Sequence, residues 1–220
     1  MSGAGAAKGA AADSAGGGGS YVGLVRGINV GVGNRIPMAD FRAVFEGLGF
    51  ADVKTLLQSG NVVFDAARDL TLADVAAIEE AFAARAGFRA GFVVLGTGQF
   101  LEILDANPLL DVATDPSRLV VTFLPQAPDA RGGASRTPGP RTADPRAAGP
   151  LAAIALPDAD STLPEVLATG PHAVYSWHPD GISNSRLPAS FWKQLGPVYT
   201  ARNLNTANKI AALLRGRSTS

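Results

Sequence analysis

Four short strings hold the polar residues best suited to chemistry. The first, Arg26 to Gly33, reads RGINVGVG. A glycine-rich loop of this kind lets backbone N–H groups converge on a phosphate at the start of a helix. Two established versions are excluded. A P-loop ends in Gly-Lys-Ser/Thr, which is absent. The dinucleotide fingerprint spaces its glycines G-x-G-x-x-G, whereas Gly27, Gly31 and Gly33 give G-x-x-x-G-x-G. A tight turn with Asn29 as its cap accounts for the same residues. Arg26 asks for more, because a charge closing an apolar strand should point into a pocket or meet a partner. The second string, Gln58-Ser59-Gly60-Asn61, has the composition of a hairpin turn. The third is Pro179-Asp180-Gly181-Ile182 with Ser185. The fourth is Arg202-Asn203-Leu204-Asn205-Thr206 with Lys209. Asn205 suits the N-cap of a last helix, with Lys209 one turn inside. A helix start flanked by Arg202 and Lys209 fits a phosphate or carboxylate; ordinary capping fits it as well.

The elements that must carry these strings follow from hydrophobic spacing. Tyr21–Arg26 reads as a strand. Ala39–Leu48 has Phe41, Val44, Phe45 and Leu48 at helical intervals, with Pro37 before it and Gly49 after it. Val53–Leu57 and Asn61–Asp65 are strands around Ser59-Gly60. Thr71–Ala86 is an amphipathic helix, and Phe92–Leu95 a fourth strand. The order β-α-β-β-α-β is that of a ferredoxin-like unit. After a helix at Gln99–Ala106, the second half offers strands at Arg118–Leu124, Glu165–Ala168, His172–Trp177 and Val198–Ala201. A short helix falls near Ala189–Gln194, and Thr206–Arg215 closes the chain. This is a second βαββαβ, except that its first crossover helix is replaced by Gln126–Pro150. Six prolines from Pro125 to Pro150 disfavour a helix there, so a flexible, protease-sensitive insertion is expected.

The expected architecture is therefore α+β, a tandem duplication of ferredoxin-like subdomains. Residues 1–20 form a disordered Ala/Gly tail, 21–96 the first subdomain, and 97–216 the second, with the insertion at 126–150. In such a sheet the first and second strands run the same way, which brings Arg26 and Asn29 beside Gln58, Ser59 and Asn61. In the second half the strands ending at Trp177 and Ala201 are parallel in the same sense. A pseudo-twofold between the halves would turn both polar edges toward one shared basic cleft. Arg26 and Arg202 are expected there as partly exposed charges, with Asn205 and Lys209 beside them.

Taken together, and in this order, the four strings resemble the bacterial domain-of-unknown-function family numbered 1697, DUF1697, over about Tyr21 to Leu214. The resemblance implies the same duplicated ferredoxin-like fold and brings no established activity, cofactor or catalytic residue. The family pattern has an aromatic between its two asparagines, where this chain has Leu204.

Composition narrows the function classes. There are no cysteines, which excludes disulfides, thiol catalysis and cysteine metal sites. With 46% hydrophobic residues the chain can build a core without such staples. No stretch is long and apolar enough for a membrane span and no secretory signal stands at the start, so a cytoplasmic protein without membrane partners is expected. Net charge is zero, yet residues 181–220 carry six basic and no acidic groups, leaving 13 basic and 19 acidic in 1–180. That asymmetry suits an anion-facing surface, although Arg215 and Arg217 also simply complement a helix C-terminus. Catalytic signatures are poor. His172 and His178 lack metal-ligand spacing, no metal or cofactor is expected, and Ser59 has neither a G-x-S-x-G context nor a neighbouring histidine. Asn61–Phe64 does not match the aromatic strand with which an RRM reads RNA.

The candidate ligand-binding residues are thus Arg26, Asn29, Gln58, Ser59, Asn61, Arg202, Asn203, Asn205 and Lys209. Their chemistry favours an anionic small molecule or a nucleic-acid backbone. An enzyme acting on a phosphorylated or carboxylated substrate, and an interaction module with purely structural motifs, are the alternatives.

Overall fold

A computed structural model describes residues 17–29, 33–129, 151, 154–170 and 172–217. Most of the tail and of the 126–150 insertion lies outside these residues, and so do the expectations of disorder and protease sensitivity placed on them. The first half runs β1 (Gly19–Val25), α1 (Met38–Gly47), β2 (Ala51–Leu56), β3 (Asn61–Ala66), α2 (Leu72–Ala86) and β4 (Phe92–Gly96). After α3 (Thr97–Asp105) come β5 (Leu119–Phe123), the short α4 (Ala159–Thr162), β6 (Val166–Thr169) and β7 (Ala173–Trp177). Then follow α5 (Ala189–Lys193), β8 (Thr200–Asn203) and α6 (Leu204–Arg217). The strands form two four-stranded antiparallel sheets, ordered β2-β3-β1-β4 and β6-β7-β5-β8.

In β1, β3 and β4 the runs VGLV, VVF and FVVL have no polar alternate because both faces are buried, whereas the edge strand β2 is largely exposed. Successive side chains leave on opposite sides. Tyr21, Val25, Phe64, Phe92 and Val94 meet Phe41, Phe45, Ile78 and Phe82 of α1 and α2. Val22, Leu24, Val63, Val93 and Leu95 meet α3, α6 and the inner face of the second sheet, including Leu119, Val121, Phe123 and Tyr175. One core therefore spans both sheets, with α3 and α6 in it. The Tyr175 hydroxyl donates to the Ile103 carbonyl at 2.6 Å, and burial pushes its pKa up to about 12. The outer face of the second sheet is covered by Phe191 and Leu195, with Leu124, Leu151 and Val174.

Several boundaries differ from the sequence reading. β1 begins at Gly19, where backbone pairing to Ala66 needs no apolar side chain. α4 was not foreseen; Asp158 caps it by accepting the Ser161 N–H. β8 lies two residues later than expected, and α6 begins at Leu204 rather than Thr206. The cap of α6 is not Asn205. The Asn203 carboxamide oxygen accepts the Thr206 N–H at 3.0 Å, and Asn205 is an exposed first-turn residue.

The turn between β2 and β3 depends on one glycine. Gly60 has φ +76, and a Cβ there would lie 2.4 Å from Val25 Cγ1 and 3.0 Å from Ile28 Cδ1. Its carbonyl also accepts the Val25 N–H. Gly60→Ala combines left-handed strain with overpacking and is expected to lower the unfolding free energy by about 2–4 kcal/mol. Urea denaturation measures this; a change under 1 kcal/mol would mean the turn relaxes freely.

Candidate functional site

Arg202 sits where the two sheets meet, only 8% exposed. The five N–H groups of its guanidinium reach six acceptors, with one N–H shared. Four are the carbonyls of Val25 (2.8 Å), Ser59 (2.9 Å), Gly60 (3.1 Å) and Ala201 (2.7 Å), and two are the side chains of Asn61 and Thr200. Three of the four sequence strings contribute to these contacts or border them, namely the end of β1, the β2–β3 turn and β8, and the other adds Ile182 to the cavity above. Among the described residues no carboxylate pairs with Arg202. Burial lowers its pKa to about 10, which leaves it charged at neutral pH. The expectation of a partly exposed charge is wrong for Arg202: its reach across the sheets buries it. For Arg26, an exposed residue, the expectation agrees with the structure.

The asparagines around it position the loops. Asn61 is fully buried; its amide donates to the Leu56 carbonyl and to the Ser59 hydroxyl, and its oxygen accepts from Arg202. Asn29, with φ +56, donates to the carbonyls of Ile36 and Gln58, and accepts the Ile36 N–H at 2.9 Å. It thereby ties the glycine-rich loop to the neighbouring turn, as the parallel run of β1 and β2 requires. Gln58 contributes its backbone carbonyl to that tie and has an exposed side chain. Asn203 donates to the Ser117 carbonyl and caps α6.

Above Arg202 lies a cavity of about 360 Å³, with Arg26, Ser59, Ile182, Trp192 and Tyr199 in its walls, and Val120 and Ala201 in its lining. The Arg26 guanidinium lies over the Tyr199 ring, 4.4 Å from its centroid. Tyr199 in turn stacks on Trp192, with centroids 6.1 Å apart and planes 17° from parallel. A second cavity of about 240 Å³ shares Arg26, Gly27 and Tyr199 with the first and adds Asn34, Phe88, Arg89 and Val198. Neither lining contains an Asp or Glu. An anion entering the larger cavity meets two guanidiniums, one of them desolvated, and aromatic faces suited to a planar ring.

The structure brings Arg26, Ser59 and Arg202 to one cavity, with Asn29 and Asn61 supporting its walls. It does not bring Asn205 and Lys209 there; both are exposed on α6 and line neither cavity. Part of the basic excess of residues 181–220 is also neutralised internally. Arg217 pairs with Asp65 at 2.8 Å and with Asp52 at 3.2 Å. Sequence reasoning missed Trp192 and Tyr199. Their signal was two large aromatics within the acid-free C-terminal stretch, flanking the start of β8. Leu204 is buried and faces the common core.

A second polar cluster lies on the outer face of the second sheet. His178 Nδ1 bonds Glu165, and its Nε2 is 2.8 Å from the Ser176 hydroxyl. Glu165 also accepts the Arg186 N–H at 2.7 Å. The connectivity is that of a nucleophile, base and orienting acid. Ser176 is fully buried and His178 is 1% exposed, so the hydroxyl has no access to a substrate and the cluster is a closed polar network.

A family model described as "Protein of unknown function (DUF1697)" matches residues 19–144. No curated protein matches the chain. Among solved structures, the chain is similar to the conserved bacterial protein SP0830 from Streptococcus pneumoniae, with 25% identity and a TM-score of 0.59 over 90% of this chain and 99% of that one.

Proposed function

The chain belongs to the DUF1697 family, and on that footing we propose that it is a binding protein for an anionic ligand with a planar ring, a nucleotide or a nucleotide unit of nucleic acid. The observation that carries this reading is the cavity of about 360 Å³ walled by Arg26, Arg202, Trp192 and Tyr199 with no acidic residue in its lining. Its size lies within the range of small-molecule sites, roughly 300–1,000 Å³. Arg202 is fixed by its six acceptors and supplies a preorganised positive potential at the cavity floor. Arg26 is exposed and, among the described residues, held over Tyr199, so it is the residue placed to take a phosphate directly. Trp192 offers the stacking face.

The identical strand order of the two sheets supports reading the fold as a tandem duplication of ferredoxin-like subdomains, 21–96 and 97–216. Under that reading the cavity lies at the junction of the two copies. Among the described residues no helix is long and apolar enough to cross a membrane.

The test is a thermal-shift screen of nucleoside monophosphates, phosphosugars and inorganic phosphate, followed by calorimetry. Saturating nucleoside monophosphate should raise the melting temperature by mass action. Arg26→Ala should weaken binding roughly 10- to 100-fold, the worth of a charged hydrogen bond, while the ligand-free melting temperature stays within about 2 °C, as for an exposed charge. No stabilisation by any nucleotide, or equal affinity in the variant, would sink the reading.

A further inference from the structure

The two cavities adjoin. Both are lined by Arg26, Gly27 and Tyr199. The cation–π pair of Arg26 and Tyr199 is therefore a wall common to both. Arg26 and Gly27 are both exposed, so this wall lies at the surface. Gly27 has φ +75, and a Cβ placed there would meet nothing within 4 Å. Among the described residues, the space beside Gly27 is therefore open.

Each side of the wall repeats the same pair of chemistries. The larger cavity has Arg202 with Trp192. The smaller has Arg89 with Phe88, and Arg89 is exposed. Three guanidiniums thus follow one path, with Arg26 in the middle, aromatic rings beside them and no carboxylate in either lining. The smaller cavity, about 240 Å³, is fixed rather than incidental. Gly91 packs so closely on Val198 that a Cβ would come within 2.8 Å of its Cγ2. β4 and the segment leading into β8 therefore approach at a set distance.

Single-stranded nucleic acid is recognised by this alternation of backbone-tracking cations and ring-stacking aromatics. We infer that the ligand is a single strand of nucleic acid, with one nucleotide in each cavity and the phosphate between them on Arg26. This rests on the anion-binding reading of the larger cavity and extends it to the smaller one. A lone mononucleotide would use the larger cavity and leave the smaller one, with Arg89 in its lining, empty. A duplex keeps its bases paired and stacked, and cannot place one in either cavity.

The experiment uses the full chain and fluorescence anisotropy with labelled oligothymidylates of two, four and eight nucleotides, with calorimetry for thymidine monophosphate. Affinity should rise at least tenfold from the mononucleotide to the tetranucleotide. It should fall with salt at a slope of about −0.7 per neutralised phosphate. Arg89→Ala should lower tetranucleotide affinity at least fivefold and leave mononucleotide affinity unchanged. Equal affinity for mononucleotide and tetranucleotide would overturn the two-cavity strand while leaving the mononucleotide reading intact. So would an Arg89→Ala variant that weakens both ligands alike, or duplex DNA that competes as well as the single strand. Absence of binding to any nucleotide, mononucleotide included, would remove both readings.

Discussion

Arg202→Lys lowers the unfolding free energy by about 4 kcal/mol, the largest effect expected of any conservative substitution in the chain. A lysine ammonium has three donors, whereas Arg202 serves six acceptors. At least three of those lose their partner, among them carbonyls that water cannot reach without opening the junction. Each buried unsatisfied acceptor costs about 1–3 kcal/mol. The charge itself is retained, so the variant separates geometry from electrostatics. Guanidinium chloride unfolding of the two proteins measures the difference. A loss under 1 kcal/mol would mean that the carbonyls of Val25, Ser59 and Gly60 are satisfied by water, and that the junction is looser than its hydrogen bonds imply.

His178→Leu is expected to cost about 3–5 kcal/mol, because it leaves the Glu165 carboxylate buried with its main partner removed. Glu165 is 5% exposed. Burial by itself would raise its pKa; the His178 hydrogen bond and the Arg186 N–H outweigh this and hold it below the usual carboxylate value. The sign of the pH dependence follows. A group whose pKa is depressed on folding contributes stability above its unfolded pKa, about 4.3 for glutamate, and loses it as pH falls through the folded value. The stability gap between the native protein and Glu165→Gln should therefore be largest near neutrality and close as the pH falls below about 4. Denaturant titrations at pH 7, 5 and 3.5 test this. A gap constant across them would show that the carboxylate charge adds nothing to the network.

The fold was legible where local pattern and global burial agree. The runs VGLV and FVVL have no polar alternate, which marked them as strands, and α1 and α2 carried their helical spacing openly. The turn at Ser59-Gly60 was readable because its glycine is needed for a positive φ. The beginning of α6 was less so. Asn203 and Asn205 are equally good caps by type, and only the end of β8 decides between them. Legibility failed most at the site. Arg202 bonds groups 141 to 177 residues away in sequence, and no local pattern encodes such a contact. The same distance hid the pairing of Arg26 with Tyr199, and so the place of Trp192. Ser176, His178 and Glu165 were missed for a related reason. Ser176 and His178 lie two residues apart on one strand face, but Glu165 enters from the next strand's approach.

The path of the chain through the common core has a bearing on how the protein comes off the ribosome. β8 and α6 follow every other described element in order of synthesis. Until they emerge, Val22, Leu24, Val63, Val93 and Leu95 lack part of their cover, and the carbonyls at the end of β1 wait for a guanidinium not yet made. The nascent first sheet is thus complete in its strands yet sticky on one side. A product truncated anywhere before Thr200 carries that apolar surface exposed, a mark by which chaperones and proteases can tell it from the finished chain. The same last segment delivers Arg202, so a molecule that has passed this checkpoint is also one with its cavity floor in place.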